Sequence, residues 1–229
     1  MVRRSRRGKA NGGDGANRPG AWVWGRRAVF ETLRAGRWPI RDLWLADRID
    51  EPEVIEVQKL VRAWDVEVVI EPAESLAERC QNRDHQGFLA RVGEFPYEDP
   101  EQLLTGSGVG GEGSALFLLL DSVQDPFNLG AIIRSAEVFG VSGVFVSGDH
   151  QAPVTGHVAR SSAGAINHVR VARAENLVTL VMQLRRAKVQ VLGAAADGAR
   201  PAREYDLAGP VAIVLGNEGY GVGGDVMDI

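Results

Sequence analysis

The stretch that most constrains this chain is residues 115–134, ALFLLLDSVQDPFNLGAIIR. Residues 115–120 are short, uniformly apolar and stop at Asp121. Such a run suits a strand buried on both faces, as in a parallel sheet. Asp121, Ser122, Asp125, Pro126 and Asn128 then crowd a turn-rich segment. Beyond it Leu129, Ile132, Ile133, Ala136 and Phe139 recur at helical spacing, and Gly140 stands where a C-terminal cap would. In open α/β sheets, ligands bind where a strand ends and its loop leads into a helix. The polar residues of this loop and Arg134 are therefore the first candidates for chemistry.

The same alternation of strand and helix fills the rest of the chain. Residues 21–93 read as a small α/β unit. A helix is predicted over 26–35, with Val29, Phe30 and Leu33 on one face and Gly36 to end it. A strand over 40–46, an amphipathic helix over 51–64, a β-rich run over 66–70, a short helix over 72–80 begun by Pro72, and a strand over 86–92 follow. From 115 onward, strands are predicted at 115–120, 143–147, 168–172, 189–194 and 210–215, with the clearest helix at 175–188. The expected class is α/β, with a small N-terminal domain over 21–93 and a second domain with a largely parallel sheet over 115–229. Between them, residues 94–114 carry two prolines and then TGSGVGGEGS, which reads as a flexible linker.

A chain of 229 residues needs no staples to bury a core. Its one cysteine, Cys80, excludes an internal disulfide framework and fits a reducing cytosol, so a cytoplasmic location is expected. No apolar stretch reaches the length of a membrane span, and the basic N-terminus lacks the apolar segment of a secretory signal. The net charge of −4 hides an asymmetry: residues 1–20 hold Arg3, Arg4, Arg6, Arg7, Lys9 and Arg18 against Asp14, a net of +5, which leaves −9 on the remainder. A basic, Gly/Asn-rich arm of this kind is expected to be disordered, either drawn to nucleic-acid phosphates or merely solubilising.

The last strand, PVAIVLG, runs into NEGYGVGGDVMDI. The glycines there let the backbone turn sharply and approach a ligand closely, with Glu218 held in the turn. Gly219, Gly221 and Gly224 fit GxGxxG, but no acidic residue follows about twenty positions on, and the first strand of the domain leads into DSVQDPFN where a dinucleotide-binding turn would stand. A second match at Gly106, Gly108 and Gly111 precedes a strand and is read as accidental. A nucleotide-dependent oxidoreductase is disfavoured on these grounds. Ser161, Ser162, Ala163, Gly164 and Ala165 suit close packing or close ligand approach, with packing the plainer account. His85, His150, His157 and His168 show no metal-ligand spacing, so no metal site is expected. There is no GxSxG elbow and no Walker loop.

DPFNLGAIIRSAEVFG, then SSAGA, then VLGNEGYG, in this order and at this spacing, resemble the SpoU (TrmH-like) RNA 2′-O-ribose methyltransferases of the trefoil-knotted SPOUT class. WGRRAVFETL at 24–33 and HQGFLARV at 85–92 are similar to the family's N-terminal substrate-binding domain. The resemblance runs from about residue 22 to the end. It implies a SPOUT-type knot domain, S-adenosyl-L-methionine as methyl donor, RNA as substrate and a homodimer whose active site borrows contacts across its interface. By position it places Asn128, Arg134 and Glu218 in the catalytic site, Leu215, Gly216, Asn217 and Gly219 around the donor, and Arg26, Arg27, His85, Gln86 and Arg134 against RNA.

The residue chemistry agrees with these roles. A ribose hydroxyl is a poor nucleophile that must be aligned and relieved of its proton. The Arg134 guanidinium suits a phosphate and holds its own proton too strongly for a base, so positioning is its expected role. Asn128 can fix Arg134 or cap the helix. Ribosomal RNA, 23S in particular, is the expected substrate. A transfer RNA target and a non-catalytic RNA-binding or ribosome-assembly protein stand as alternatives. The family's third motif, a Pro-rich strand and SLN-type turn, has no counterpart before Ile229. The expectation is therefore a fragment with an incomplete knot, binding the donor weakly in calorimetric titration.

Overall fold

The computed structural model describes residues 2–4, 21–107, 115–196, 198 and 200–229, the first three by backbone alone. It divides into two units, Met1–Pro96 with Val154–Asn167, and Tyr97–Pro153 with His168–Ile229.

In the first unit, strands β1 (Val2–Arg4), β2 (Ala21–Trp24), β3 (Ile40–Ala46), β4 (Val68–Glu71) and β5 (Phe88–Val92) alternate with helices α1 (Arg26–Ala35), α2 (Glu51–Val61) and α3 (Ala73–Cys80). The sheet is mixed, in the order β1-β4-β3-β5-β2, with β3 parallel to β4 and antiparallel to β5. Helix α1 keeps its sequence bounds because Val29, Phe30 and Leu33 are buried and Gly36, at φ 69°, closes the last turn onto the Thr32 carbonyl. Trp38 is buried, and its indole N–H is satisfied by the Gly93 carbonyl at 2.9 Å. Trp24, Trp44, Leu76 and Leu89 belong to one buried cluster, against which half-buried Cys80 packs as a small apolar residue. The basic arm expected over 1–20 meets the described residues only at β1, whose backbone pairs in parallel with β4. Its other residues lie outside them.

The second unit starts with α4 (Pro100–Thr105), followed by β6 (Leu116–Leu120), α5 (Pro126–Val138) and β7 (Gly143–Ser147). The chain then passes through α6 (Gly156–Ser161), which belongs to the first unit, before β8 (Val171–Ala174), α7 (Leu177–Arg186), β9 (Gln190–Gly193), β10 (Val211–Leu215) and α8 (Gly224–Met227). The sheet order is β8-β7-β6-β10-β9 and every pairing is parallel. Phe117, Leu119 and Leu120 on β6 are fully buried, and all of β7 is buried, as uniformly apolar strands in a covered parallel sheet must be. Gly140, at φ 64°, follows the last turn of α5, where the N–H of Val141 bonds to the Ala136 carbonyl.

The flexible linker expected over 94–114 is corrected over its described part. The Asp99 carboxylate accepts the N–H groups of Glu101 and Gln102, both at 3.0 Å, and starts α4. Leu103 is then fully buried against Gly143, where a Cβ would overlap its side chain. Capping and one apolar anchor outweigh the glycine-rich composition that follows. Residues 108–114, and with them Gly108 and Gly111 of the accidental glycine match, lie outside the described residues.

Residues 154–167 carry the small-residue segment, and here packing is the answer. A Cβ at Gly156 would collide with the Trp22 carbonyl, and His157 meets the Trp24 ring edge-on at 4.8 Å. Asn167 is buried, its amide donating to Thr32 Oγ1 and the Gly164 carbonyl, both at 3.1 Å. Gly164 sits at φ 90° against the Glu31 side chain. The segment is small because it is wedged into the first unit.

Candidate active site

Parallel order fixes where the second unit can bind a ligand. From β6 the chain moves outward to β7 and β8; it reaches the opposite edge at β9 and returns at β10 beside β6. The strand order therefore reverses between β6 and β10. A crevice opens at the carboxyl ends of such a pair, the usual ligand position in open α/β sheets. The two loops that leave these ends are residues 121–125 and 216–223, those singled out from the sequence.

Side chains tie the loops together. The Asp121 carboxylate accepts the Gly223 N–H at 2.7 Å. Asn217 donates its amide to the Ser122 carbonyl at 2.8 Å and accepts the Gly219 N–H at 2.8 Å. Asn217 and Gly221 exchange both backbone hydrogen bonds at 2.9 Å, which closes a five-residue turn. Gly216 is obligatory at its root: a Cβ there would overlap the Gly221 carbonyl and the Val222 nitrogen. Leu215, Gly216 and Asn217 are half-buried, whereas Glu218, Gly219 and Tyr220 are exposed at the tip.

Glu218 joins the turn to the start of α5. Its Oε1 accepts the Asn128 amide at 2.9 Å, and the N–H groups of Gln124 and Asp125 approach its two oxygens at 3.4 Å. Asn128 was expected to fix Arg134 or cap the helix, and it does neither. The cap is Asp125, which accepts the Phe127 N–H at 2.8 Å. This leaves the Asn128 side chain free to cross to Glu218.

The Asn128 hydrogen bond, ahead of a smaller opposing effect of burial, lowers the Glu218 pKa below the ordinary glutamate value. A lowered native pKa contributes stability above the unfolded value and loses it as pH falls through the native one. Asn128→Ala removes the largest cause, so the Glu218 carboxyl titration followed by NMR should move up toward the ordinary value. An unchanged midpoint would show that the contact does not hold in solution.

Arg134 stands apart from this pair. It lies six residues beyond Asn128 on α5, which is roughly 9 Å along the axis and about 120° around it. It is exposed, and its guanidinium makes no hydrogen bond or ion pair among the described residues. Its stripe of the helix carries Phe127 and Val138, 59% and 72% exposed.

The residues expected to meet RNA in the first unit divide. Arg27 is exposed and unpaired among the described residues. Arg26 is exposed but engaged, pairing with Glu53 and lying over the Phe30 ring at 5.1 Å. Gln86 has a structural task, its Oε1 accepting the Arg26 N–H at 3.0 Å where Gly25 offers α1 no side-chain cap. His85 is a correction. Only 6% exposed, it accepts the Gly87 N–H on Nδ1 at 3.0 Å, and burial lowers its pKa, so it offers neither surface nor charge to a phosphate. Asp121 and Ser122, among the loop's polar residues singled out as candidates for chemistry, bond to the second loop, and those partners lie too far along the chain for spacing to disclose.

Residues 115–229 match the SpoU rRNA Methylase family, and residues 22–98 match the family described as RNA 2'-O ribose methyltransferase substrate binding. The chain belongs to the SpoU methylase family. A Bacillus subtilis protein assigned to the TrmH family of tRNA/rRNA methyltransferases is 31% identical over 88% of this chain and 80% of its own length. A tRNA/rRNA methyltransferase of Mycolicibacterium vanbaalenii, itself uncharacterised, is 37% identical over 87% of this chain and 63% of its own length. Among solved structures, the SpoU methyltransferase AviRb of Streptomyces viridochromogenes, in complex with AdoMet, superposes with a TM-score of 0.73 at 24% identity, covering 91% of this chain and 77% of AviRb. A TrmH-family structure from Porphyromonas gingivalis gives 0.66 at 27% identity, covering 91% and 76%. SpoU membership makes this chain one of a family of RNA methyltransferases, and the SpoU match spans both loops of the crevice. Among the described residues no helix is long and apolar enough to cross a membrane, and no cluster of three or more His, Cys, Asp or Glu side chains could hold a metal ion.

Proposed function

We propose that this protein transfers the methyl group of S-adenosyl-L-methionine to a ribose 2′-hydroxyl of RNA, with ribosomal RNA as the substrate. The observation that carries the reading is the Asn128–Glu218 hydrogen bond of 2.9 Å, which joins the two loops at the point where the strand order reverses. The donor's sulfonium is a cation, and the loops suit one. Residues 121–128 and 215–225 contain Asp121, Asp125, Glu218 and Asp225 and no Lys or Arg. A carboxylate several ångströms from a sulfonium stabilises it most where water is excluded, as at the half-buried root of the turn.

When bound, the donor supplies an electrophilic methyl on a good leaving group. Transfer of that methyl to the ribose oxygen would release the neutral thioether, and the hydroxyl proton would leave to solvent. The chain's contribution is alignment. Glu218 fixes the turn against α5, the Leu215–Asn217 backbone holds the donor, and Arg134 holds an RNA phosphate through its planar fork of donors. Arg134 points away from Asn128, on the stripe of exposed Phe127 and Val138. We place it across a homodimer interface, serving the partner's loops. The first unit, with Arg27 exposed, presents the RNA.

The test is methyl incorporation from labelled donor into ribosomal RNA and transfer RNA transcripts, followed by alkaline hydrolysis. A 2′-O-methyl group removes the nucleophile that cleaves the neighbouring phosphodiester, so the label should appear in alkali-resistant dinucleotides of the ribosomal transcript. Label in mononucleotides would mean base methylation, and label in transfer RNA alone would reassign the substrate. No incorporation would favour a non-catalytic RNA-binding role.

A further inference from the structure

Tyr220 is 64% exposed at the tip of the Asn217–Gly221 turn, two residues beyond Glu218. Neither its ring nor its hydroxyl has a partner among the described residues. The backbone beneath it is fixed by the paired 2.9 Å bonds of Asn217 with Gly221, by the 2.8 Å bond from Gly219 to Asn217, and by the close approach of Gly216 to Gly221. An aromatic ring on a turn already ordered has only its two side-chain torsions left to lose on binding. Such a ring is a ready surface for the face of a nucleobase, and unpaired RNA bases are held by stacking of this kind.

We propose that Tyr220 is the stacking platform for an unpaired base of the RNA beside the methylated ribose, which makes it a positioning residue; this rests on the RNA methyltransferase reading above. A nucleobase face could come from the RNA or from the adenine of the methyl donor. The burial gradient favours RNA. The root of the turn at Leu215, Gly216 and Asn217 is half-buried, as a small donor requires, whereas Tyr220 faces outward at the tip.

The experiment compares Tyr220→Ala, Tyr220→Phe and Tyr220→Trp in the full chain. Anisotropy of a fluorescein-labelled single-stranded oligoribonucleotide of mixed sequence gives RNA affinity, calorimetry gives S-adenosyl-L-methionine affinity, and methyl transfer gives KM and kcat. Tyr220→Ala should weaken RNA binding and raise the RNA KM about tenfold, the loss typical of one stacked base. Donor affinity should stay within about twofold, Phe should bind RNA like the wild type, and Trp at least as tightly, since stacking needs only the π-face. Unchanged RNA affinity in Tyr220→Ala overturns the proposal, as does a loss confined to the donor, or a Phe variant as weak as Ala. If the wild type transfers no methyl group, the enzymatic reading fails, while the binding arm still decides whether the ring stacks on RNA.

Discussion

Gly216→Ala is expected to eliminate measurable methyl-donor binding while the neighbouring Gly224→Ala leaves it intact. The added methyl group at 216 would overlap the Gly221 carbonyl group and the Val222 nitrogen. These are backbone atoms and cannot swing aside like a side-chain end. The turn must open, which breaks the two Asn217–Gly221 bonds and pulls Asn217 from the Ser122 carbonyl. Each such bond is worth roughly 0.5–1.5 kcal/mol net, and the overpacking itself about 1–3 kcal/mol. Unfolding should therefore start several degrees lower, since about 1 kcal/mol shifts a domain of this size by roughly 2–4 °C. Loss of the donor's backbone contacts should weaken binding by at least about 100-fold, read by calorimetry. Gly224 has nothing within 4 Å of its Cβ position, so alanine there controls for a general effect of removing a glycine. Wild-type affinity in Gly216→Ala would mean that the donor does not use this turn.

The contrast between those two glycines shows what a sequence can and cannot disclose. Local signals were readable: the apolar run of β6, the helical spacing of α5 and the caps at Gly36 and Gly140 each act within one or two turns of chain. The two loops of the crevice were readable as glycine-rich or turn-rich segments after apolar runs. Their joining was not, because the bonds Asp121–Gly223, Ser122–Asn217 and Asn128–Glu218 span 102, 95 and 90 residues. Periodicity carries no information at that range, and a motif supplies residue identities without their partners. His85 shows the same limit from the other side. Its polar neighbours suggest a surface, and only the folded chain reveals a ring that is 6% exposed. Helix α4 was missed for a different reason. The glycines after Thr105 dominated the composition, although Asp99-Pro100 is an ordinary helix start.

Arg134→Ala should lower kcat for methyl transfer by about two to three orders of magnitude, with donor affinity and melting temperature unchanged. The size follows from removing one preorganised charged group that aligns the reacting atoms. Stability should not move, because the Arg134 side chain is exposed and bonds to nothing among the described residues. Its distance around α5 from the Asn128–Glu218 pair makes a second, sharper expectation. If the arginine serves the partner's loops, mixing Arg134→Ala with Gly216→Ala should restore activity that neither variant has alone. In a mixed dimer one site combines an intact turn from one protomer with an intact arginine from the other, and its twin combines both defects. Random exchange makes about half the dimers mixed, so about a quarter of wild-type activity should return. An arginine acting within its own protomer gives no restoration at any ratio, since every site then carries one defect. Restoration should also vanish when the interface is cut by Val138→Asp, a charge placed on the 72% exposed side chain that the proposed interface would cover. Restoration that survives this cut would place the contact between protomers elsewhere than on α5.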